Sequence, residues 1–329
     1  MLSRIPHQSS SSRQRQVWGR EIMKLTNEPL AVGSHRNRTF KKIYLEILNR
    51  CNLKCSFCPP DTRPAQFLTL PDFQYFLEKL QGWGSYLYFH VKGEPLLHPQ
   101  FPQFLETAGA YGFQVNLTTN GTLLEKHSEV LWNAKALRQL NLSLQAWVEL
   151  SPEQEDHYFD ILFSFLDEHP KRSQSFVSLR LWNQNTAEAD KNNERLLTRL
   201  ETYLGVHLPR KEALNPETGF KLREKLYLNS ADRFEWPDLN LPQADTKGFC
   251  YGLSNQVGIL SDGTVVPCCL DGEGIIALGN LKNQSLEEIL ASPRSVALHE
   301  GFLRGDLVEP LCRTCGFRRR FTRVPSKRG

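Results

Sequence analysis

The run Asn49-Arg50-Cys51-Asn52-Leu53-Lys54-Cys55-Ser56-Phe57-Cys58-Pro59 follows directly on an apolar, strand-like segment, Ile43 to Leu48. Its cysteines are spaced C-x3-C-x2-C. Three thiolates this close together can hold three irons of a cubane cluster and leave the fourth iron open to a small molecule. A structural metal site normally closes its coordination with a fourth local ligand. A zinc reading would need that ligand, and the nearest histidine, His90, stands at the end of a different candidate strand.

Outward from this loop, the chain alternates strand and helix from about residue 40. Candidate strands are Lys42–Asn49, Tyr86–Val91, Gln114–Thr119, Gln139–Ala146 and Phe176–Trp182. Candidate helices are Leu70–Gln81, Gln100–Tyr111, Leu123–Asn133, Glu153–Glu168 and Asp190–Leu204, several with apolar residues three and four apart, as in Phe73, Phe76, Leu77 and Leu80. Strands joined by helices of this length imply parallel βαβ units with right-handed crossovers. The expected fold is α/β: a partial (β/α)6-type parallel barrel over residues 39–205, with a small α+β module at the C-terminus. Active sites of such folds lie at the C-terminal ends of the strands, where the cysteine loop falls.

Residues 1–38 are rich in Ser, Arg and Gln without apolar period and read as a disordered basic extension. Residues 206–249, punctuated by Pro209, Pro216, Pro237 and Pro242, read as an irregular connection. Residues 250–316 carry the other five cysteines and read as a separate module, and 317–329 as a basic tail. Residues 1–42 carry nine Lys/Arg against two Glu and residues 316–329 six Lys/Arg and no acid, so with a total of +4 the body is acidic. Solvated tails explain this as simply as a nucleic-acid or phosphate partner does. No run approaches the ~18 apolar residues of a membrane span and no signal region opens the chain, so a cytoplasmic protein without membrane attachment is expected. Seven of the eight cysteines fall in metal-type spacings, which favours reduced thiols over disulfides.

Four further stretches carry chemistry. Val91-Lys92-Gly93-Glu94-Pro95 follows the second candidate strand; a tight turn with exposed carbonyls and a carboxylate accepts hydrogen bonds from an ammonium group. Thr118-Thr119-Asn120-Gly121 ends the third strand, where an Asn-Gly turn is the plain alternative. Ser143 lies on the fourth strand, and Arg180 interrupts an apolar run on the fifth, where a cation needs a partner: a bound carboxylate or a structural Asp or Glu. In the C-terminal module Cys250, Gly263 and Cys268 are spaced C-x12-G-x4-C, followed by Cys312-Arg313-Thr314-Cys315. A hairpin at Asp262-Gly263-Thr264 brings Cys250 and Cys268 together, and a helix over Ser285–Ala291 returns the chain to the second pair. By itself this could be a four-cysteine zinc ribbon. Cys269 is left over.

The cysteine loop with an aromatic, Phe57, before its last cysteine, then Gly93-Glu94-Pro95, then Thr118–Gly121, resembles the radical S-adenosylmethionine enzymes. The C-terminal pattern resembles their SPASM/twitch extension. The resemblance covers roughly residues 40–320. It departs at Lys92, which replaces the first glycine of a Gly-Gly-Glu-Pro motif, and after Cys315, where a full SPASM pattern would need further cysteines. It implies a [4Fe-4S] cluster on Cys51, Cys55 and Cys58, S-adenosylmethionine held by Gly93, Glu94, Asn120, Ser143 and Arg180, and one auxiliary [4Fe-4S] cluster on Cys250, Cys268, Cys312 and Cys315. It also implies reductive cleavage of S-adenosylmethionine to a hydrogen-abstracting 5′-deoxyadenosyl radical, an electron donor such as flavodoxin or ferredoxin, and an oxidised product with the auxiliary cluster as electron acceptor. The substrate is left open among small molecule, peptide and RNA. The short polar N-terminus is unlike an ~80-residue leader-binding domain, whereas the basic tail of Arg318, Arg319, Arg320, Arg323, Lys327 and Arg328 keeps RNA or a phosphorylated substrate in view. A non-catalytic zinc-binding nucleic-acid module is the alternative from another class. It explains the charges but not why Gly93-Glu94-Pro95 follows a strand.

Overall fold

The computed structural model describes residues 38–210, 219–242 and 245–321. The basic extension up to residue 37 and the tail beyond residue 321 lie outside the described residues. Each barrel unit follows from local chemistry, as the first helix illustrates. Thr69 accepts a hydrogen bond from the Asp72 amide at 3.1 Å, and Pro71 sits in the first turn, so the helix α1 (Leu70–Leu80) starts there. Its apolar spacing buries Phe73, Phe76, Leu77 and Leu80 completely, each contributing roughly 1.5–3 kcal/mol.

The same alternation continues: β1 (Lys42–Leu45), β2 (Tyr86–Tyr88), α2 (Phe101–Ala110), β3 (Gln114–Thr119), α3 (Leu124–Asn133), β4 (Leu137–Ser143), α4 (Pro152–Arg172), β5 (Phe176–Gln184) and α5 (Ala187–Leu204). β1 to β5 lie side by side and parallel. Several strands end earlier than their apolar runs suggest: β1 stops at Leu45 and β2 at Tyr88, and after Ser143 the chain turns into a 3-10 segment, Leu144–Glu149. The extra residues form loops above the sheet.

Two expectations need correction. The stretch 206–249 is not wholly irregular: β6 (Phe220–Arg223) and β7 (Leu226–Asp232) form an antiparallel pair, and β7 joins β5 in parallel as the sixth barrel strand. The prolines flank this strand rather than interrupt it. Nor is the C-terminal module separate. Its strand β8 (Gln256–Ile259) pairs in parallel with β1 from Lys42↔Gln256 to Leu45↔Ile259, and β9 (Thr264–Val266) and β10 (Gly279–Asn280) continue outward antiparallel. The β1 edge, which would otherwise be unpaired, is thereby covered. One ten-stranded sheet runs β10-β9-β8-β1-β2-β3-β4-β5-β7-β6, curved but not closed, so the barrel is partial. Three helices complete the module: α6 (Leu286–Leu290), α7 (Pro293–Arg304) and α8 (Pro310–Thr314).

Strand periodicity divides the side chains between two faces. Ile43, Leu45 and Ile47 are buried in the main core with Leu87, Val115, Leu117, Leu140 and Leu179. Lys42, Tyr44 and Glu46 therefore point the other way, into the lumen, as do Tyr88, His90, Asn116, Asn141 and Arg180. The lumen is polar and lies below the strand ends that carry the motifs.

Candidate functional site

The cysteine loop leaves the top of β1 and is tied down without using its thiols. Asn49 donates to the Pro64 carbonyl and accepts from the Gln66 amide, both at 2.8 Å. The Ser56 amide donates to Glu149 at 2.9 Å, the Trp236 indole N–H donates to the Phe57 carbonyl at 2.9 Å, and Arg233 reaches the Ser56 carbonyl at 3.3 Å. Below the loop, Glu46 is wholly buried and pairs with Arg63 at 2.8 and 2.9 Å, with Ser261 donating at 3.1 Å. Burial pushes the Glu46 carboxyl up to about 7 despite the guanidinium.

Cys51 and Cys58 are exposed and Cys55 is half-buried. A hydrogen bond with Cys58 pushes the Cys55 thiol up, and its counterpart lowers Cys58, which Lys92 also favours as a thiolate. The Leu53 amide and the Asn120 side chain donate to the Cys51 sulfur at 3.4 and 3.7 Å. These contacts suit a sulfur that carries negative charge toward a metal. Among the described residues no group of three or more His, Cys, Asp or Glu converges closely enough to hold a single metal ion. The fit therefore rests on donor type and placement: three thiols, on one loop, at a strand end.

The Gly93-Glu94-Pro95 turn packs directly under this loop. Gly93 has φ +81°, and a Cβ there would lie 2.5 Å from the Leu48 carbonyl oxygen and 3.0 Å from that of Arg50. Only glycine allows that approach. The Glu94 amide then donates to the Arg50 carbonyl at 2.8 Å. Glu94 itself turns inward. It is 2% exposed, caps the short 3-10 turn Pro95–Leu97 through the Leu96 amide at 3.1 Å, and accepts from the Asn120 amide at 2.8 Å. Burial raises its carboxyl to about 7. Its carboxylate thus fastens the Gly93 turn to the Thr118–Gly121 turn, rather than standing open for a ligand. Asn120 does come to the loop: besides Cys51, its side chain donates to Asn52 at 2.9 Å and accepts from Thr122. Ser143 sits at the open end of β4. Arg180, opposite it in register, does not reach the Gly93 turn; its guanidinium stacks on Trp182 at 4.5 Å and lies by Tyr44 and Tyr88.

In the C-terminal module Cys250, Cys268, Cys312 and Cys315 line one cavity with Phe302 and Leu311. Burial raises all four thiols, Cys250 to about 12. Four thiols on one apolar wall are donors of the type a cluster takes, and a bound metal cation would offset the burial that now disfavours their thiolates. The glycine of the C-x12-G-x4-C spacing has a steric reason: Gly263 has φ +92°, and a Cβ would meet Asn280 at 2.7 Å and Phe76 at 2.9 Å. Cys269 does not line the cavity. It packs in the lumen with Tyr44, Leu260 and Val266.

A model of the radical SAM superfamily matches residues 45–160, and a model of the SPASM iron–sulfur cluster-binding domain matches residues 250–316. The chain belongs to the radical S-adenosylmethionine (radical SAM) superfamily. Among curated relatives, a GTP 3′,8-cyclase from Chlorobaculum tepidum is 34% identical over 119 residues, 35% of this chain and 36% of that protein. The alignment thus spans about a third of the cyclase's length. A tungsten-containing aldehyde ferredoxin oxidoreductase cofactor-modifying protein from Pyrococcus furiosus is 25% identical over 84% of this chain and 88% of its own. In fold, the chain is similar to BtrN in complex with AdoMet and 2-DOIA, with a TM-score of 0.56 at 17% identity over 85% of this chain and 94% of that one.

Within this radical SAM frame, four residues that hold the first cysteine loop were not singled out by the sequence, Glu149, Arg233, Trp236 and Glu273, and Lys92, noted there only as a departure from glycine, joins them. Lys92, standing where the family has glycine, keeps its backbone out of the left-handed region. Its amine donates to the Pro60 carbonyl and to Glu273, both at 2.7 Å, and Glu273 also accepts from the Thr62 hydroxyl at 2.5 Å. The residues from Arg233 to Asp238 also face the second cysteine set. Glu235 accepts from the Gly316 amide at 3.0 Å, and Thr314 accepts from the Asp238 amide at 3.2 Å. The one available signal was the density of aromatic and charged residues around Trp236-Pro237 in a segment that otherwise reads as linker.

Proposed function

We propose that this radical SAM chain binds S-adenosylmethionine above Cys51, Cys55 and Cys58 and uses it to abstract hydrogen from a small polar substrate in the barrel lumen. The observation that carries this reading is the direct seating of the Gly93 turn on the three-cysteine loop. It sets backbone acceptors for an ammonium group beside three thiols. When bound, the first cluster supplies the electron that splits S-adenosylmethionine into methionine and a 5′-deoxyadenosyl radical, and the second, on Cys250, Cys268, Cys312 and Cys315, supplies an electron acceptor. The protein's part is placement and exclusion of water. Carbonyls of the Gly93 turn orient the amino group, Asn120 polarises the Cys51 sulfur, and Ser143 stands at the strand end on the ribose side. Cys250, Cys268, Cys312 and Cys315 would hold the second cluster with one thiolate for each iron, and as an electron acceptor there it would favour a net oxidation of substrate over a rearrangement.

A small-molecule substrate is supported by the long match to a cofactor-modifying protein and by the polar lumen. The test is a pair of triple or quadruple variants. Replacing Cys51, Cys55 and Cys58 by Ala should abolish 5′-deoxyadenosine formation while about half of the iron stays. Replacing Cys250, Cys268, Cys312 and Cys315 should remove the other half and leave uncoupled cleavage. Cleavage that survives the first set, or a colourless zinc-loaded protein after anaerobic purification, would overturn the reading.

A further inference from the structure

The lumen below the proposed cofactor site carries cations that, among the described residues, no carboxylate pairs with. Lys42 opens β1 and is exposed at the lower mouth of the lumen, whereas Arg180 stands four residues before the end of β5 and is half-buried within it. Among the described residues neither pairs with a carboxylate. Glu46, just past the end of β1, is committed to Arg63 and Ser261. Arg138 adds a third cation beside Asn116 and over the Tyr86 ring. Desolvation first and the Arg180 charge after it disfavour the charged forms of both Lys42 and His90. A half-buried guanidinium among aromatic rings with no acid beside it is costly unless an anion joins it.

Around these cations the walls are hydrogen-bonding and aromatic. Tyr44 and Tyr88 lie with ring centroids 4.8 Å apart, and His90 stands edge-on to both, at 5.6 and 6.3 Å. Burial and the Arg180 charge hold His90 down at about 3, so the ring is neutral at ordinary pH. Its Nδ1 is buried and has no hydrogen-bond partner. A buried orphan of this kind marks a place where a ligand or water completes the site.

We infer that Lys42, Arg180 and His90, with Tyr44 and Tyr88, form an oxyanion subsite that takes a carboxylate or phosphate group of the substrate. This deepens the proposed function and rests on it for the identity of the other ligand. The guanidinium fork suits either oxyanion in bidentate fashion, the Lys42 ammonium supplies a point charge, and His90 donates from Nδ1. The deep anion then leaves the remainder of the substrate directed up toward the Gly93 turn. Arg180 is thereby assigned to substrate and not to the carboxylate of S-adenosylmethionine, because its neighbours come from β1 and β2 and not from that turn.

The test uses the full chain, anaerobically reconstituted and loaded with S-adenosylmethionine. Inorganic phosphate and succinate are titrated separately at fixed ionic strength with chloride as control, read by quenching of tryptophan fluorescence, since Trp182 touches Arg180. At least one of the two should bind saturably and more tightly than chloride. Arg180→Gln and Lys42→Gln should each weaken that binding about tenfold or more, the loss expected for a charge-assisted hydrogen bond. Lys41→Gln, next in sequence on the opposite face, should not change it. Affinity for S-adenosylmethionine and its uncoupled cleavage should persist in both variants. The subsite is refuted if neither anion outcompetes chloride, if Arg180→Gln and Lys42→Gln both bind as the parent does, or if Arg180→Gln loses S-adenosylmethionine instead. Should Arg180→Gln fail to fold, Arg180→Lys keeps the charge and should show a weakening that is smaller but measurable. A parent that binds phosphate or succinate yet makes no 5′-deoxyadenosine would sink the proposed function and leave the subsite standing.

Discussion

Gly93→Ala separates two effects that usually arrive together. The φ of +81° alone costs an alanine about 1–2 kcal/mol. The new Cβ would also stand 2.5 Å from the Leu48 carbonyl oxygen and 3.1 Å from the Arg50 amide, backbone atoms that cannot swing aside as a side chain does. Forcing such a contact costs about 1–3 kcal/mol more. The total of about 2–5 kcal/mol should lower the melting temperature by roughly 4–20 °C at about 2–4 °C per kcal/mol for a chain of this size. Gly112→Ala is the matched control: φ is +80° and nothing lies within 4 Å of the added Cβ, so only the conformational part applies. Thermal melts of both reconstituted variants, followed by circular dichroism, decide the matter. Gly93→Ala should also cut 5′-deoxyadenosine formation sharply, because the displaced Arg50 backbone adjoins Cys51, whereas Gly112→Ala should not. Equal losses of stability in the two variants would refute the close packing of the Gly93 turn on the cysteine loop.

Removing Arg63 as Arg63→Ala leaves the Glu46 carboxylate buried without its partner and should cost about 3–5 kcal/mol in denaturant unfolding, with much of that recovered in the double variant Glu46→Gln, Arg63→Met. Glu94 titrates at about 7 in the folded chain against an ordinary 4.5, so the folded state holds the extra proton and this contribution is full below about 4.5 and lost as pH rises through 7. Glu94→Gln should therefore flatten the decline in melting temperature across that window, leaving the part due to Glu46, which burial also raises to about 7; an unchanged profile would contradict the burial. Trp236→Phe keeps the ring and deletes the N–H to Phe57, and should perturb the electron paramagnetic resonance signal of the reduced first cluster with total iron unchanged.

The chemistry was far easier to read than the framework that supports it. Cys51, Cys55 and Cys58, the Gly93 turn and the Thr118–Gly121 turn are local signals, and all three fall at the top of consecutive parallel strands. The strand β3 also emerges with the bounds its alternation implies, because nothing but its own pattern decides it. What escaped is long-range. Lys92 and Glu273 are 181 residues apart, and Trp236 is 179 from the carbonyl it holds, so no window of sequence contains either pair. The sixth strand was hidden for a different reason: Leu226–Asp232 is flanked by proline-rich text and carries polar residues on its lumen face, so it lacks the apolar run that marks its neighbours. Glu94 shows the opposite failure. A carboxylate beside a glycine turn reads as an open ligand group, and only the packed fold reveals that two amides already occupy it.

The restraints on the cysteine loop also impose an order in time. Arg233, Trp236 and Glu273 lie 177, 179 and 211 residues beyond the groups they grip. A chain made from its N-terminus presents the three thiols before any of these grips exists, and the loop gains its last ties only once residues 233–273 have been made. The sheet reinforces the delay, since β8 reaches β1 at the same late stage. A chain halted after α5 should therefore still hold the cysteine loop through Gln66, the Gly93 turn, Asn120 and Glu149, yet bind iron through its three cysteines more loosely than the full chain, because the ties from Arg233, Trp236 and Glu273 are missing.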